Sequence, residues 1–98
     1  MTINKNQNGT ALEIALEGRL DTMTAPELEA ELNASLKDAE ALEMDFTKLE
    51  YISSAGLRVL LSAHKVMSAK EGMTVKNVNE IVAEVFEVTG FADILNIE

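Results

Sequence analysis

The sequence predicts an α/β protein with one mixed β-sheet and the element order β-β-α-β-α-β-α-β. Two observations carry this prediction. The first is a hairpin signal near the start of the chain. The second is that segments with alternating apolar residues, typical of strands, are interspersed with segments whose apolar residues recur every third or fourth position, typical of helices. A hairpin followed by strand–helix–strand crossovers gives a mixed sheet. Because the strands alternate rather than forming continuous apolar runs, we expect the helices mainly on one face.

The first two strands are predicted on either side of Asn8-Gly9. Both of these residues tolerate the positive φ that a type I′ hairpin turn requires. The segment from about Thr2 to Gln7 is polar, which is typical of an edge strand. After the turn, Leu12, Ile14 and Leu16 alternate with polar or small residues, which predicts a half-buried strand.

A helix is predicted over about Ala25–Lys37. Thr24 and Glu27 have the spacing of a capping box, and Pro26 falls in the first turn, where its missing N–H does no harm. Leucines recur at three- or four-residue intervals along the segment and form one apolar stripe. The glutamates on the other side indicate a solvated face.

The second half of the chain repeats this alternation. It predicts a strand at Leu42–Phe46 and a helix from the Ser53-Ser54 pair to about Lys70, ended by Gly72. A strand at Met73 and Val75 follows, then a helix capped by Asn79 that carries Ile81, Val82, Val85 and Phe86 and closes near Thr89-Gly90, and a short last strand over Ile94–Ile97. Residues 1–98 therefore form a single domain.

Composition excludes several classes of function. The net charge is −9, and 8 lysines and arginines do not supply the basic stripe that nucleic acid requires. The same charge is repelled by anionic membranes. There is no cysteine and one histidine, so we expect neither a metal site nor a cofactor. No signal peptide or membrane-spanning run is present in the sequence, and a cytoplasmic protein is predicted.

Catalysis by a serine triad is also disfavoured. Ser54 and His64 fall ten positions apart on one predicted helix, a separation of about 15 Å along its axis. A general base must come within about 3 Å of its nucleophile, which rules out this pairing even with Asp45 as the third member. The sequence also lacks the Gly-x-Ser-x-Gly elbow and the glycine-rich phosphate loops. We therefore predict a binding domain, not an enzyme.

The turn from Tyr51 to Arg58 is the candidate working feature. It places four small residues, Ser-Ser-Ala-Gly, where a strand gives way to a helix. One of the serines is expected to be the N-cap, with its hydroxyl accepting a free N–H. A serine at a helix N-terminus is also a favourable place for a phosphate, because the dipole and the free N–H groups stabilise the anion. Both interpretations stay open on the residues alone.

Two blocks of the chain resemble a known family. They are Gly18-Arg19-Leu20-Asp21 and Leu49-Glu50-Tyr51-Ile52-Ser53-Ser54-Ala55-Gly56-Leu57-Arg58. At this separation they look like a STAS domain of the bacterial anti-sigma factor antagonist type, and the resemblance extends over nearly the whole chain. It implies a STAS-like mixed β-sheet with helices and a protein that switches between binding partners.

The resemblance also implies the site. In such families the unphosphorylated antagonist binds an anti-sigma factor that is also a serine kinase, phosphorylation breaks that complex, and a PP2C-type phosphatase restores it. The family motif Asp-Ser-x-Gly-Leu makes Ser54 the phosphoacceptor and puts Ser53 where the family has an acid. Asp21 matches the acid of the family's second loop and is also suited to forming a turn. The implied partner-binding residues are Asp21, Thr22, Ser53, Ser54, Ala55, Gly56, Leu57 and Arg58.

Arg58 follows Ser54 by one helical turn, and it has two interpretations. It is placed either to pair with a phosphate or to face solvent. The missing acid at Ser53 also keeps a second function open. The chain is alternatively a non-phosphorylated STAS subunit that docks in a multiprotein complex, such as a lipid-transport ABC system.

Overall fold

The computed structural model describes Met1–Glu98 and has the predicted element order. Its five strands are β1 Thr2–Asn8, β2 Ala11–Leu20, β3 Ala41–Ile52, β4 Gly72–Lys76 and β5 Asn96–Ile97. Its three α-helices are α1 Ala25–Ser35, α2 Ser54–Ser68 and α3 Glu80–Thr89, with short 3-10 turns at Leu36–Asp38 and Phe91–Asp93.

The strands lie in the order in which the chain makes them. β1 is antiparallel to β2, and each later neighbouring pair is parallel. The long strand β3 lies between β2 and β4 and pairs with both. The carboxyl ends of β2, β3 and β4 therefore meet at one edge of the sheet, where the loops to the three helices begin.

One face of the sheet holds the whole core. The inward residues of β2 (Leu12, Ile14 and Leu16) belong to a cluster of 24 buried apolar residues to which all three helices contribute. The opposite face carries half-exposed polar residues, where Lys76 lies 3.2 Å from a carboxylate oxygen of Glu43. The expected placement of helices on one face is confirmed.

The hairpin turn differs from the prediction. Gly9 and Thr10 form a two-residue turn, Asn8 still pairs with Ala11, and only Gly9 has positive φ, at 64°. Positive φ at the first central position alone is the requirement of type II′, so the type I′ prediction is wrong. The Thr10 carbonyl oxygen accepts the N–H of Glu40, at 2.8 Å, from the start of β3. This long-range bond fixes the turn, and local sequence does not reveal it.

The predicted capping box of α1 is also wrong in its hydrogen bonds. The helix begins at Ala25 as expected, but the Thr24 side chain caps no helical N–H. Its hydroxyl instead donates to the Arg19 carbonyl oxygen at 2.8 Å and accepts from Asp21 N at 2.9 Å. Tertiary contacts with the end of β2 have taken the hydroxyl away from the helix. α1 ends at Ser35, and the 3-10 turn continues past the predicted end.

The later elements follow the prediction, with one correction at Gly72. α2 ends at Ser68, so Gly72 does not end the helix but opens β4 with a φ of 106°. Asn79 caps α3 as predicted, with its Oδ1 accepting from Val82 N at 2.8 Å. Ile81 is exposed, because Val82 and Phe86 occupy the inward direction of α3.

The last strand is shorter than predicted. It covers Asn96–Ile97, while Ile94 is exposed. Ile94 falls just after the 3-10 turn Phe91–Asp93, so the chain reaches the sheet edge only two residues later.

Lys70 links the end of α2 to the end of α1. Its Nζ donates to the carbonyl oxygens of Leu36 and Ala39, at 2.6 and 2.7 Å, in a partly buried position. Both carbonyls lie at the 3-10 turn that follows α1, and that of Leu36 also accepts the N–H of Ala39 at 3.1 Å. One cation therefore satisfies two acceptors and holds two crossover connections together.

We predict that Lys70→Met destabilises the domain by about 1–3 kcal/mol, because the thioether keeps the stem but leaves both carbonyls without a charged donor. Urea unfolding followed by circular dichroism measures this. Lys65→Met is the matched control, since Lys65 is exposed on α2 and its side chain makes no hydrogen bond or ion pair. Equal midpoints for the two variants would contradict the assigned role of Lys70.

Candidate functional site

The candidate site lies where β2 and β3 end side by side. Leu20 pairs with Ile52 in the parallel ladder, and the next N–H, of Ser53, donates to the Leu20 carbonyl oxygen at 2.9 Å. The turn that follows β2 and the helix that follows β3 are therefore held next to each other. We call this surface the edge site and define it as Asp21–Thr24 together with Ser53–Arg58.

Asp21 organises the first loop of the edge site. Its Oδ1 accepts the N–H groups of Met23 and Thr24, at 3.0 and 3.2 Å, and its carbonyl oxygen accepts that of Ala25 at 2.8 Å. This is the side-chain turn that aspartate is suited to form. The predicted turn-forming role of Asp21 is confirmed.

The surroundings of Asp21 keep its side chain ionised. Partial burial by itself raises the pKa of this carboxyl, but the amides of Thr24 and Met23, the Thr24 hydroxyl and the Arg19 guanidinium together lower the pKa below its ordinary value. Asp21 is thus a carboxylate at physiological pH. Arg19 lies 3.9 Å from the Asp21 carboxylate and stacks on the Tyr51 ring, with its guanidinium carbon 4.5 Å from the ring centroid.

The second loop leads into α2. Ser53 occupies the N-cap position with extended φ and ψ of −102° and 177°, and its carbonyl oxygen accepts from Leu57 N at 3.0 Å. Its hydroxyl oxygen is buried without a hydrogen-bond partner, so the predicted hydroxyl cap is wrong. No side chain of the N-cap competes for the first N–H groups of α2, which have no intrahelical acceptor. Ser54 is the first residue of the helix, and it is exposed.

Gly56 brings α2 close to the strand ends. A Cβ at this position would lie 2.7 Å from Leu20 Cγ and 2.9 Å from Ile52 Cγ1, closer than side-chain carbons pack. Gly56 and Leu57 are buried, so they position the edge site and present little surface for contact. Of the eight predicted partner-binding residues, the remaining six are more exposed than these two. Contact between this set and a partner protein stays a prediction.

Several predicted residues line one shallow depression. Thr22, Ala55 and Arg58 face it together with the start of α1, and it has a volume of about 190 Å³. Arg58 is exposed and makes no ion pair, so its two predicted roles stay open. Sequence reasoning missed Met23, which is 85% exposed on the Asp21 turn. The sequence did contain a signal for it, because a large apolar side chain in a predicted turn is expected to be exposed.

The structure brings no catalytic group to this serine. His64 and Ser54 remain ten positions apart on the same straight element, α2. Asp45 is held elsewhere, by Thr47 and by the Asn77 side-chain amide at 2.9 Å. No group of three or more acidic or histidine side chains is arranged to hold a metal ion. None of the helices combines the length and apolar character needed to cross a bilayer.

The chain resembles known proteins over nearly its whole length. A family model described as "Mlab, STAS domain" matches residues 3–96. BtrV of Bordetella bronchiseptica, named as a candidate anti-sigma factor antagonist, is 40% identical over 81 residues, which are 81% of this chain and 70% of BtrV. The anti-sigma-B factor antagonist of Listeria monocytogenes is 27% identical over 96 residues, which are 96% of this chain and 84% of that protein.

A solved structure shares the fold. The anti-sigma factor antagonist SpoIIAA in its unphosphorylated form matches with a TM-score of 0.84 and 18% identity, covering 99% of this chain and 88% of that one. The phosphorylated form of the Bacillus protein matches with a TM-score of 0.76 and 17% identity, covering 99% of this chain and 91% of that one. The predicted STAS-like fold is confirmed.

We predict that Gly56→Ala destabilises the domain by about 1–3 kcal/mol through overpacking against Leu20 and Ile52. The direction is diagnostic, because alanine in place of glycine inside a helix ordinarily stabilises by about 0.5–1 kcal/mol. Thermal and urea unfolding measure the change. In a Leu20→Ala background the same substitution should cost less, since two of the three closest atoms belong to the Leu20 side chain and only the Ile52 contact remains. An equal cost in both backgrounds would show that Leu20 is not the constraint.

Proposed function

The chain belongs to the STAS domain family, and on that premise we propose that it is an anti-sigma factor antagonist acting as a phosphorylation-controlled partner switch in the cytoplasm. Unphosphorylated, it binds an anti-sigma factor that is also a serine kinase and so promotes sigma-dependent transcription. Phosphorylation of Ser54 ends this binding, and a PP2C-type phosphatase reverses the modification. The observation that carries the proposal is the exposed hydroxyl of Ser54 on the first residue of α2, beside the Asp21 turn.

The position of Ser54 suits a phosphate in the folded domain. The N-terminus of a helix carries a partial positive charge of roughly half an elementary charge, and it favours anions. Because the buried Ser53 hydroxyl makes no cap, the first N–H groups of α2 are free for phosphate oxygens. Arg58 lies one turn further on the same helix without an ion-pair partner, which suits a second contact. Modification therefore requires no unfolding.

The same geometry accounts for the loss of binding. The surface around Ser54 is built from small side chains, which suits a closely fitting partner. A phosphate adds about −1.5 to −2 charges to this surface, next to the fixed carboxylate of Asp21. A partner docked here would face an added volume and a cluster of anions. Like charges brought together at an interface cost several kcal/mol.

Asp21 and Met23 have complementary parts in this proposal. The ionised Asp21 is held in place by its turn and offers a fixed charge for a basic group of the partner. Met23 projects from the same turn and offers an adaptable apolar contact. Together with Ser54 they give a charged, an apolar and a modifiable element on one surface.

A second candidate function is favoured by one observation. Ser53 stands where the resemblance expects an acid, and its buried hydroxyl supplies no charge to a kinase. The matching family model is also described by the name Mlab. In this alternative, the chain is a non-phosphorylated STAS interaction subunit of a multiprotein complex such as a lipid-transport ABC system. It would use the edge site for permanent docking.

For the leading proposal we predict that Ser54→Asp weakens binding to the cognate anti-sigma factor by about 100-fold or more in Kd, because the carboxylate imitates part of the phosphate charge. Ser54→Ala should bind as well as the unmodified protein. Isothermal titration calorimetry measures both. Ser62→Asp is the matched control, since Ser62 is exposed two turns later on α2. Equal affinity for the two aspartate variants would count against the switch.

A second prediction separates the two candidate functions. We expect Ser53→Asp to accelerate phosphate incorporation at Ser54 by the cognate kinase, because it restores the family's acid at a position where aspartate is a good N-cap. Ser53→Asn, a comparable cap without charge, should not. Mass spectrometry after incubation with ATP locates the phosphate. A chain that binds its partner and takes no phosphate at Ser54 in any of the three forms supports the docking subunit instead.

A further inference from the structure

Helix α3 carries an apolar stripe that is largely exposed. Ile81, Val85 and Val88 follow one another at four- and three-residue spacing, so they lie on one side of the helix. Ile81 is 59% exposed and Val88 is 80% exposed, while Val85 is half-buried beneath them. We call these three residues the α3 stripe. They border a common shallow depression together with Glu84 and Thr89.

The two exposed residues of the stripe, Ile81 and Val88, lie outside the core, whereas Val85 packs against it. The inward direction of α3 is already occupied by Val82 and Phe86, which are essentially fully buried. Single exposed apolar residues are ordinary on protein surfaces, but aligned ones that share a depression mark interaction surfaces. Val66 on α2 provides the contrast: it is 47% exposed, but Val59 and Ala63, which precede it at the same spacing, are buried in the core.

The charge around the stripe points to the kind of occupant. Residues 77–98 contain no lysine, arginine or histidine and five carboxylates: Glu80, Glu84, Glu87, Asp93 and Glu98. None of the five takes part in an ion pair, whereas Glu43 on the open sheet face is paired with Lys76. Glu84 borders the depression that the stripe shares, and Glu80 and Glu87 lie further round the same side of α3, with no compensating cation from residues 77–98.

We propose that the α3 stripe docks a positively charged amphipathic helix of a partner protein. Its aliphatic side chains would cover Ile81 and Val88, and its lysines or arginines would face Glu84 first and reach toward Glu80 and Glu87 on the same side of the helix. A second copy of this chain would bring the same carboxylates together, and an anionic membrane would be repelled, so neither complements the surface. The stripe shares no residue with the edge site and adds a second binding surface to the domain.

The size of the stripe sets the expected strength of binding. A ten-residue helix is about 15 Å long, enough to contact about three turns of a partner helix. Such an area lies below that of a standard stable interface, so the contact is weak and exchangeable. Part of it is electrostatic and weakens as salt shortens the Debye length from about 10 Å at 0.1 M to about 3 Å at 1 M.

The test uses the full chain and a synthetic amphipathic helical peptide with leucines on one side and lysines along both borders. Fluorescence anisotropy measures its Kd. We expect Val88→Ser and Ile81→Ser each to weaken binding about tenfold, and Val66→Ser to leave it unchanged. Glu84→Gln should weaken binding several-fold at low salt, whereas Glu27→Gln, on the exposed side of α1, should not. Ser54→Asp should have no effect, which separates this surface from the edge site.

Other outcomes overturn the proposal. These are an absence of peptide binding, equal losses in Val88→Ser and Val66→Ser, or equal binding of a peptide in which glutamates replace the lysines. Sedimentation of the wild-type chain provides an independent check. A dimer that Val88→Ser abolishes would assign the stripe to a second copy and also overturn the proposal.

Discussion

The hydrogen bond from Ser53 N to the Leu20 carbonyl oxygen joins the ends of the parallel strands β2 and β3. The close packing of Gly56 on Leu20 and Ile52 then holds the start of α2 against this joint. Because the first turn of α2 has no side chain at this point, it lies directly on Leu20 and Ile52. The Asp21 turn and the start of α2 consequently form one surface, although some thirty residues separate them in sequence. Every property ascribed to the edge site depends on this joint.

The one-sided sheet explains how the remaining surface divides. With all three helices on one face, the polar residues of the other face pair among themselves, as Lys76 does with Glu43 and Glu13. The carboxylates of α3 have no such partners. The net charge of −9 therefore includes carboxylates without an ion-pair partner, among them those on the exposed side of α3.

Sequence patterns predicted the element order, the one-sided core and the helix starts, because alternation and three-to-four spacing reflect burial directly. They failed where a polar group had a choice of partners. The Thr24 hydroxyl bonds to the Arg19 carbonyl and not to its own helix, and the Thr10 carbonyl bonds to Glu40 across the sheet. For the site, the resemblance supplied Ser54 and Asp21. The exposure of Met23 and the burial of Leu57 required the packed structure.

The unpaired Ser53 hydroxyl connects the two candidate functions. A serine that made the usual cap would occupy an N–H group of α2, and a phosphate at Ser54 would then compete with it. Because the hydroxyl is instead buried without a partner, the helix start keeps its N–H groups free at the cost of an unsatisfied polar atom. A purely structural N-cap would remove that cost. In the proposed switch, a phosphate on Ser54 would meet these free N–H groups.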